Sequence, residues 1–267
     1  MPRVRTQLVI ASQFCRVLQA MPLITTNAEM RNSNLLVLAG GFGTRLRSAV
    51  ADVPKALAPV AGKPFLQFLI DAWLQQGVTQ LTFLLHHQAD LIEDFLGQQK
   101  SICRLAQCEI RISREPLPMG TGGGVANAVQ QLGLTGSFLV TNADTWLSKG
   151  IAQVSAARCP AIGIVRVENS DRFGGVKVQK DRVISFDEKQ VSTGLGWINA
   201  GLYRLHADLF HSWDGKPFSL ERDLFPKLVA AGKLHAAYLE TEFIDIGIPY
   251  DYHRFSRWIE SGKSGVL

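Results

Sequence analysis

The tightest constraint on how this chain can fold is an apolar run that ends on glycine. Leu35, Leu36, Val37 and Leu38 lead directly into Ala39, Gly40, Gly41, Phe42, Gly43, Thr44 and Arg45. Four consecutive aliphatic residues suit a strand covered on both faces, which is the setting of a parallel sheet. Glycines at its end allow a loop whose backbone N–H groups stand open, with no Cβ in front of them. Such a strand needs helices on both sides.

The sequence that follows supplies them. Pro64 and Gly77 bracket an amphipathic stretch over residues 65–76, with proline in the first turn and glycine at the stop. Residues 81–85 read as a second strand, 89–98 as a helix and 109–113 as a third strand. Thr121 can cap a helix running to about Gln131, and 137–141 form a fourth strand just before Asn142, Ala143 and Asp144. Strands alternating with helices of ~10–15 residues imply βαβ units, an α/β fold with a mainly parallel sheet. Right-handed crossovers put the loops after these strands at one edge, where ligands bind. The glycine loop and Asp144 should therefore face one crevice. Beyond residue 160 the strand-like runs 161–167, 174–178, 183–187 and 197–203 have little helix between them, which implies an antiparallel or mixed region. Helical patterns return at 220–231 and 250–261.

Composition excludes several classes. With 267 residues and 46% hydrophobic content a substantial core can form. No apolar run approaches the ~18 residues of a membrane span. Of the net charge of +5, Arg3, Arg5, Arg16 and Arg31 against Glu29 place +3 in the first 33 residues. The remainder carries only +2, which argues against a nucleic-acid binder. Residues 1–33 read as an extension ahead of a later start at Met21 or Met30, with a targeting peptide as the alternative. The cysteines, Cys15, Cys103, Cys108 and Cys159, form no C-x-x-C pair and read as reduced thiols of a cytoplasmic protein.

Chemistry-bearing residues gather at the expected crevice. Arg45, Arg47 and Lys55 follow the glycine loop and suit a phosphate. The loop is neither a Walker loop nor a dinucleotide fingerprint. Asp144 follows a strand and Asp245 lies within the apolar run 243–247. Carboxylates among apolar residues are costly unless paired or bound to a cation. Together they would offer hard oxygens to Mg²⁺; singly each could cap a helix, for Asp144 one near Ser148. Glu188 and Lys189 could be surface decoration or a phosphate site. Asn199 and Glu221 offer an amide and a carboxylate for sugar hydroxyls. Glu115 precedes the glycines Gly120, Gly122, Gly123 and Gly124, which would let a flat base lie against a helix start.

In this order the residues resemble the sugar-1-phosphate nucleotidyltransferases, and within them the short bacterial heptose- and mannose-1-phosphate guanylyltransferases. The likeness rests on residues 38–47, Pro54-Lys55, Gly62-Lys-Pro64, Gly120-Thr-Gly-Gly123, Asn142-Ala-Asp144, Glu188-Lys189, Asn199-Ala-Gly201 and 243–247. One departure is Ala143, where such proteins usually have glycine. The resemblance implies a Rossmann-like three-layer α/β/α sandwich of glycosyltransferase-A type, one domain over 34–262, with a nucleotide half at 34–159 and a sugar-phosphate half at 160–262. It implies transfer of a nucleotidyl group, GTP being favoured as donor, to a heptose or mannose 1-phosphate for cell-surface polysaccharide. A uridylyltransferase of amino-sugar phosphates and a non-catalytic regulator are the alternatives. By the same resemblance Arg45, Lys55, Asp144 and Lys189 are catalytic. Leu38, Ala39, Gly40, Gly41, Gly43, Thr44, Glu115, Gly120, Thr121 and Gly122 line the nucleotide. Asn142, Glu188, Lys189, Asn199 and Glu221 bind the sugar phosphate, and Asp144 and Asp245 hold Mg²⁺. The partners expected are these two substrates, without nucleic acid or membrane; a homodimer is left open.

Overall fold

A computed structural model of the chain describes residues 34–50, 53–101, 105, 108–168, 173, 175–187 and 194–262. The expectations for residues 1–33, Glu188 and Lys189 lie outside it. Strand β1 (Asn34–Leu38) is flanked in parallel by β4 (Gln80–Leu85) and β6 (Ser137–Asn142), and β5 (Glu109–Arg114) continues the parallel series beyond β4. Next to β6 the direction reverses. The long β11 (Gly196–His206) is antiparallel to β6 and to β8 (Ala161–Val167). β12 (His235–Tyr238) is parallel to β8, and β10 (Arg182–Asp187) and β9 (Gly175–Gln179) close the series antiparallel. The result is one mixed nine-stranded sheet in the order β5-β4-β1-β6-β11-β8-β12-β10-β9, its parallel part concentrated in the first half.

Side chains alternate across this sheet and divide the core in two. Leu35, Val37, Leu81, Phe83, Leu139 and Val165 point into one apolar layer. That layer is covered by α1 (Phe65–Gln75), α2 (Ala89–Ser101), α4 (Ile151–Ala156) and α6 (Pro249–Glu260). Leu36, Leu84, Val140, Ile162 and Ile164 point the other way, toward α3 (Gly120–Leu132) and α5 (Phe225–Ala230). Three layers follow from burying both faces of β1.

Some local readings shift. Lys63–Pro64 forms a short strand, β3, paired with β2 (Pro59–Val60), so Pro64 stands just before α1 rather than inside it. The run 220–231 is divided: a π turn over Leu220–Leu224 precedes α5. Pro226 explains the break, because it has no N–H to continue the ladder. After Asp144 the chain enters β7 (Thr145–Leu147), which pairs antiparallel with β13 (Phe243–Asp245). Asp144 therefore does not cap a helix near Ser148. No helix among the described residues is long and apolar enough to cross a membrane.

Candidate active site

The loop after β1 is tied at both ends and open in the middle. Ala39 N–H donates to the Leu84 carbonyl, and Leu46, nearly fully buried, anchors a turn that begins with a bond from its N–H to the Gly43 carbonyl. Gly43 has φ +60°, and a Cβ there would come within 3.3 Å of Lys55 Cβ, so any other residue would be strained at the position. The space over Gly41 is empty to 4 Å. Gly41, Thr44, Arg45 and Arg47 are exposed. Anchored ends and open amides are what an anion-binding loop requires.

Lys55 begins a 3₁₀ turn, Lys55–Leu57, whose Ala56 is buried, so its stem is held while Nζ reaches the sheet edge. Nζ lies 2.6 Å from Asp144 Oδ2 and 3.7 Å from Asp245 Oδ1. The two carboxylates come from distant parts of the sequence, the middle of the chain and its C-terminal region. The β7–β13 pairing sets Asp245 opposite Thr145, and Ile246 N–H donates to the Asp144 carbonyl. Thr145 Oγ1 donates to Asp144 Oδ1, and Gly247 N–H to Asp245 Oδ1. Burial raises both carboxyl pKa values. At Asp144 the Lys55 ammonium, the Thr145 hydroxyl and Arg45 outweigh it and hold the pKa below the ordinary value. At Asp245 burial and the neighbouring Asp144 charge prevail over Lys55, Gly247 N–H and Arg45, and the pKa rises. Ala143 needs no glycine in its place, since positive φ outside glycine is confined to Ala61, Gln88 and Lys180 among the described residues.

Glu115 adjoins the glycine loop from the side. A Cβ on Gly40 would lie 3.1 Å from Glu115 Oε1 and 3.2 Å from His86 Cβ. Glu115 Oε2 accepts from Met119 N–H, and His86 Nδ1 meets the Glu115 carbonyl at 3.1 Å. A carbonyl only accepts, so the His86 ring carries its proton on Nδ1 in that contact. Burial pushes the Glu115 carboxyl above its ordinary value against the opposing Met119 N–H and His86.

The start of α3 does not lie open as the glycine run suggests. The Phe218 carbonyl takes the N–H groups of Gly122 and Gly123, and the Phe218 ring rests on Gly122. A Cβ on Gly122 would be only 2.1 Å from the ring, and one on Gly120 would be 2.6 Å from the Phe218 carbonyl. These glycines make room for the segment at Phe218. The capping role read for Thr121 is corrected. Thr121 does not cap α3; its hydroxyl donates to Glu221 Oε2 at 2.6 Å and accepts from Leu220 N–H.

On the other side of Asp144, Asn142 lies over Gly201, where a Cβ would come within 2.7 Å of the Asn142 amide nitrogen. Asn199 and Glu221 meet through Tyr203, a residue the sequence reading passed over. Asn199 Nδ2 donates to Tyr203 Oη at 2.9 Å, and Tyr203 Oη donates to Glu221 Oε1 at 3.1 Å. Four residues along a strand span about 13 Å and would not meet. They do here because the β11–β8 register shifts between Asn199 and Tyr203. A tyrosine four residues past an asparagine, with glycine between, is the only signal that sequence offers. Nothing in sequence pointed to Phe218.

Open amides, exposed cations and a lysine-bridged carboxylate pair at the carboxyl edge of a sheet define an α/β protein that handles phosphate esters. A model of the family described as nucleotidyl transferase matches residues 34–262. D-glycero-alpha-D-manno-heptose 1-phosphate guanylyltransferase of Campylobacter jejuni is 31% identical over 82% of this chain and 97% of its own. Mannose-1-phosphate guanylyltransferase 1 of Arabidopsis thaliana is 33% identical, though the match spans only 62% of that longer protein. The crystal structure of HddC from Yersinia pseudotuberculosis, solved also in complex with GMP-PN, superimposes with a TM-score of 0.74 at 32% identity, covering 85% of this chain and 99% of that one. The chain belongs to the nucleotidyl transferase family, among the sugar-1-phosphate nucleotidyltransferases, and is an enzyme of nucleotidyl transfer.

Proposed function

We propose that this enzyme joins GTP to a heptose or mannose 1-phosphate, giving a GDP-sugar for cell-surface polysaccharide and pyrophosphate. The observation that carries the reading is the lysine-bridged pair Asp144 and Asp245 at the foot of the glycine loop. An oxygen of the sugar phosphate attacks the α-phosphorus. The bond from that phosphorus to the bridging oxygen breaks, and its electron pair leaves with pyrophosphate. No covalent enzyme intermediate is needed, so the protein positions the reactants and neutralises charge. The loop amides from Gly40 to Thr44 hold the triphosphate, Arg45 the leaving phosphates, Lys55 the α-phosphate side and Lys189 the sugar phosphate.

Magnesium suits the donors. Lys55 already sits where a cation is wanted between two hard carboxylates. No group of three or more His, Cys, Asp or Glu gathers among the described residues, so the ion would be held by Asp144 and Asp245 with phosphate oxygens and water completing its shell. Bound there, it would supply positive charge to the phosphates.

Glu115 supports guanine. A carboxylate accepts from both N1–H and N2–H₂ of that base, whereas uracil offers a single N–H. The names of the guanylyltransferases above favour the same base and a heptose or mannose acceptor. Pyrophosphate release across a panel of triphosphates and sugar 1-phosphates tests this. GTP with a heptose or mannose 1-phosphate should be preferred, and Glu115→Gln should cut the preference over UTP about tenfold. Equal turnover of GTP and UTP by the unaltered enzyme would refute the base assignment, and turnover with amino-sugar phosphates alone would refute the sugar.

A further inference from the structure

The hydrogen bonds around Tyr203 can be counted, and the count assigns roles to two residues. Tyr203 is fully buried. Burial and the charge of Glu221 lift its phenol pKa well above the ordinary value, with Asp144 adding to the rise against the Asn199 amide, so the group stays protonated beside the reaction centre. As a donor to Glu221 it must accept from Asn199, which fixes the Asn199 amide with Nδ2 toward Tyr203. The other end agrees, because Asn199 Oδ1 accepts from Gly201 N–H at 3.0 Å. Glu221 Oε2 takes the hydroxyls of Thr121 at 2.6 Å and Ser219 at 2.8 Å. Of about four acceptor positions on the Glu221 carboxylate, these and Tyr203 fill three, and Asn199 retains one of its two N–H donors.

We propose that Tyr203 and Thr121 are positioning residues for the sugar 1-phosphate, acting through Asn199 and Glu221. The network leaves one N–H donor and one carboxylate lone pair for a neutral pair of sugar hydroxyls. Thr121 belongs to the helix of the nucleotide half, yet by this chain of bonds its effect falls on the sugar. The inference rests on the functional reading above and extends it to Thr121, which the sequence alone placed with the nucleotide, and to Tyr203, which it left out. Each contact removed also leaves a buried polar group unpaired, which weakens discrimination more than it weakens simple contact.

Steady-state kinetics on the full chain with Mg²⁺, varying each substrate in turn, test it. Tyr203→Phe and Thr121→Val should each raise KM for the sugar 1-phosphate about tenfold, the effect of one well-placed hydrogen bond, while KM for the triphosphate stays within about twofold. Thr121→Ser should restore the first value. A rise in triphosphate KM to match, or a lowered melting temperature with the sugar-phosphate KM unmoved, would overturn the proposal while leaving the reaction intact. If Thr121→Val does not fold, Tyr203→Phe decides alone. An unaltered enzyme that released no pyrophosphate with any pair would overturn the functional reading and this inference with it.

Discussion

Replacing Lys55 with methionine keeps most of its stem and removes the ammonium lying between Asp144 and Asp245. The ammonium is 2.6 Å from one carboxylate and 3.7 Å from the other, and the lysine side chain is 12% exposed. Breaking a buried pair by deleting one partner costs about 3–5 kcal/mol, because the remaining charge is left without compensation. Asp144 is 35% exposed, so water recovers part of the loss. A cost of about 2–4 kcal/mol at neutral pH is expected, or roughly 5–12 °C in melting temperature for a domain of this size. Added Mg²⁺ should return much of it, since a divalent ion can take the vacated place. Thermal and urea melts of both proteins, with Mg²⁺ and with chelator, measure this without any substrate. A deficit that Mg²⁺ leaves unchanged would refute the idea that the two carboxylates form a cation site.

Three further outcomes follow from the same structure. Asp144→Asn should lower turnover at least ~10²-fold, as for loss of one electrostatic contributor, and an unchanged rate in the pyrophosphate assay would remove Asp144 from the mechanism. Gly122→Ala should destabilise by about 1–3 kcal/mol despite alanine's helix preference, because its Cβ meets the Phe218 ring; a urea midpoint at or above that of the unaltered protein would refute the packing described at α3. Burial raises the Cys108 thiol pKa from 9.0 to about 11. Its share of stability is therefore complete below the ordinary value and lost as pH rises through that window, while thiol-reagent labelling should be slow at neutral pH. Alkaline stability that falls no faster in the unaltered protein than in Cys108→Ala, or labelling of Cys108 at the rate of an exposed thiol, would refute that environment.

Much of the fold was legible because its signals are local. The run 35–38 and its glycines fix a buried strand and an open loop within a dozen residues, and the period of each later segment reports the face it buries. Asp144 and Asp245 were legible as costly charges among apolar residues, although not the lysine bridge between them. Thr121 was misread because the same residue type caps helices and bonds distant carboxylates. Its partner Glu221 is 100 residues away, and no local pattern carries that distance. Likewise the glycines in the first turn of α3 signal close approach without saying of what. Ligand and Phe218 leave the same trace in sequence. The Asn199–Tyr203 contact depends on a register shift, which alternation by itself conceals.

The β7–β13 ribbon has a consequence for the order in which the molecule can be made. Asp245 pairs across 100 residues of intervening chain with the segment that carries Asp144. It is kept there by α6, whose Phe255 packs on Phe65 and Trp146 and whose Tyr252 hydroxyl donates to the Pro59 carbonyl. Contacts so far apart in sequence are costly to close and tend to form late. A chain emerging from the ribosome can complete its glycine loop, and even the parallel half of its sheet, while Asp144 still lacks its partner. On this topology the parallel half of the sheet is closed by short-range contacts, whereas the pairing of Asp245 beside Asp144 waits on the docking of α6.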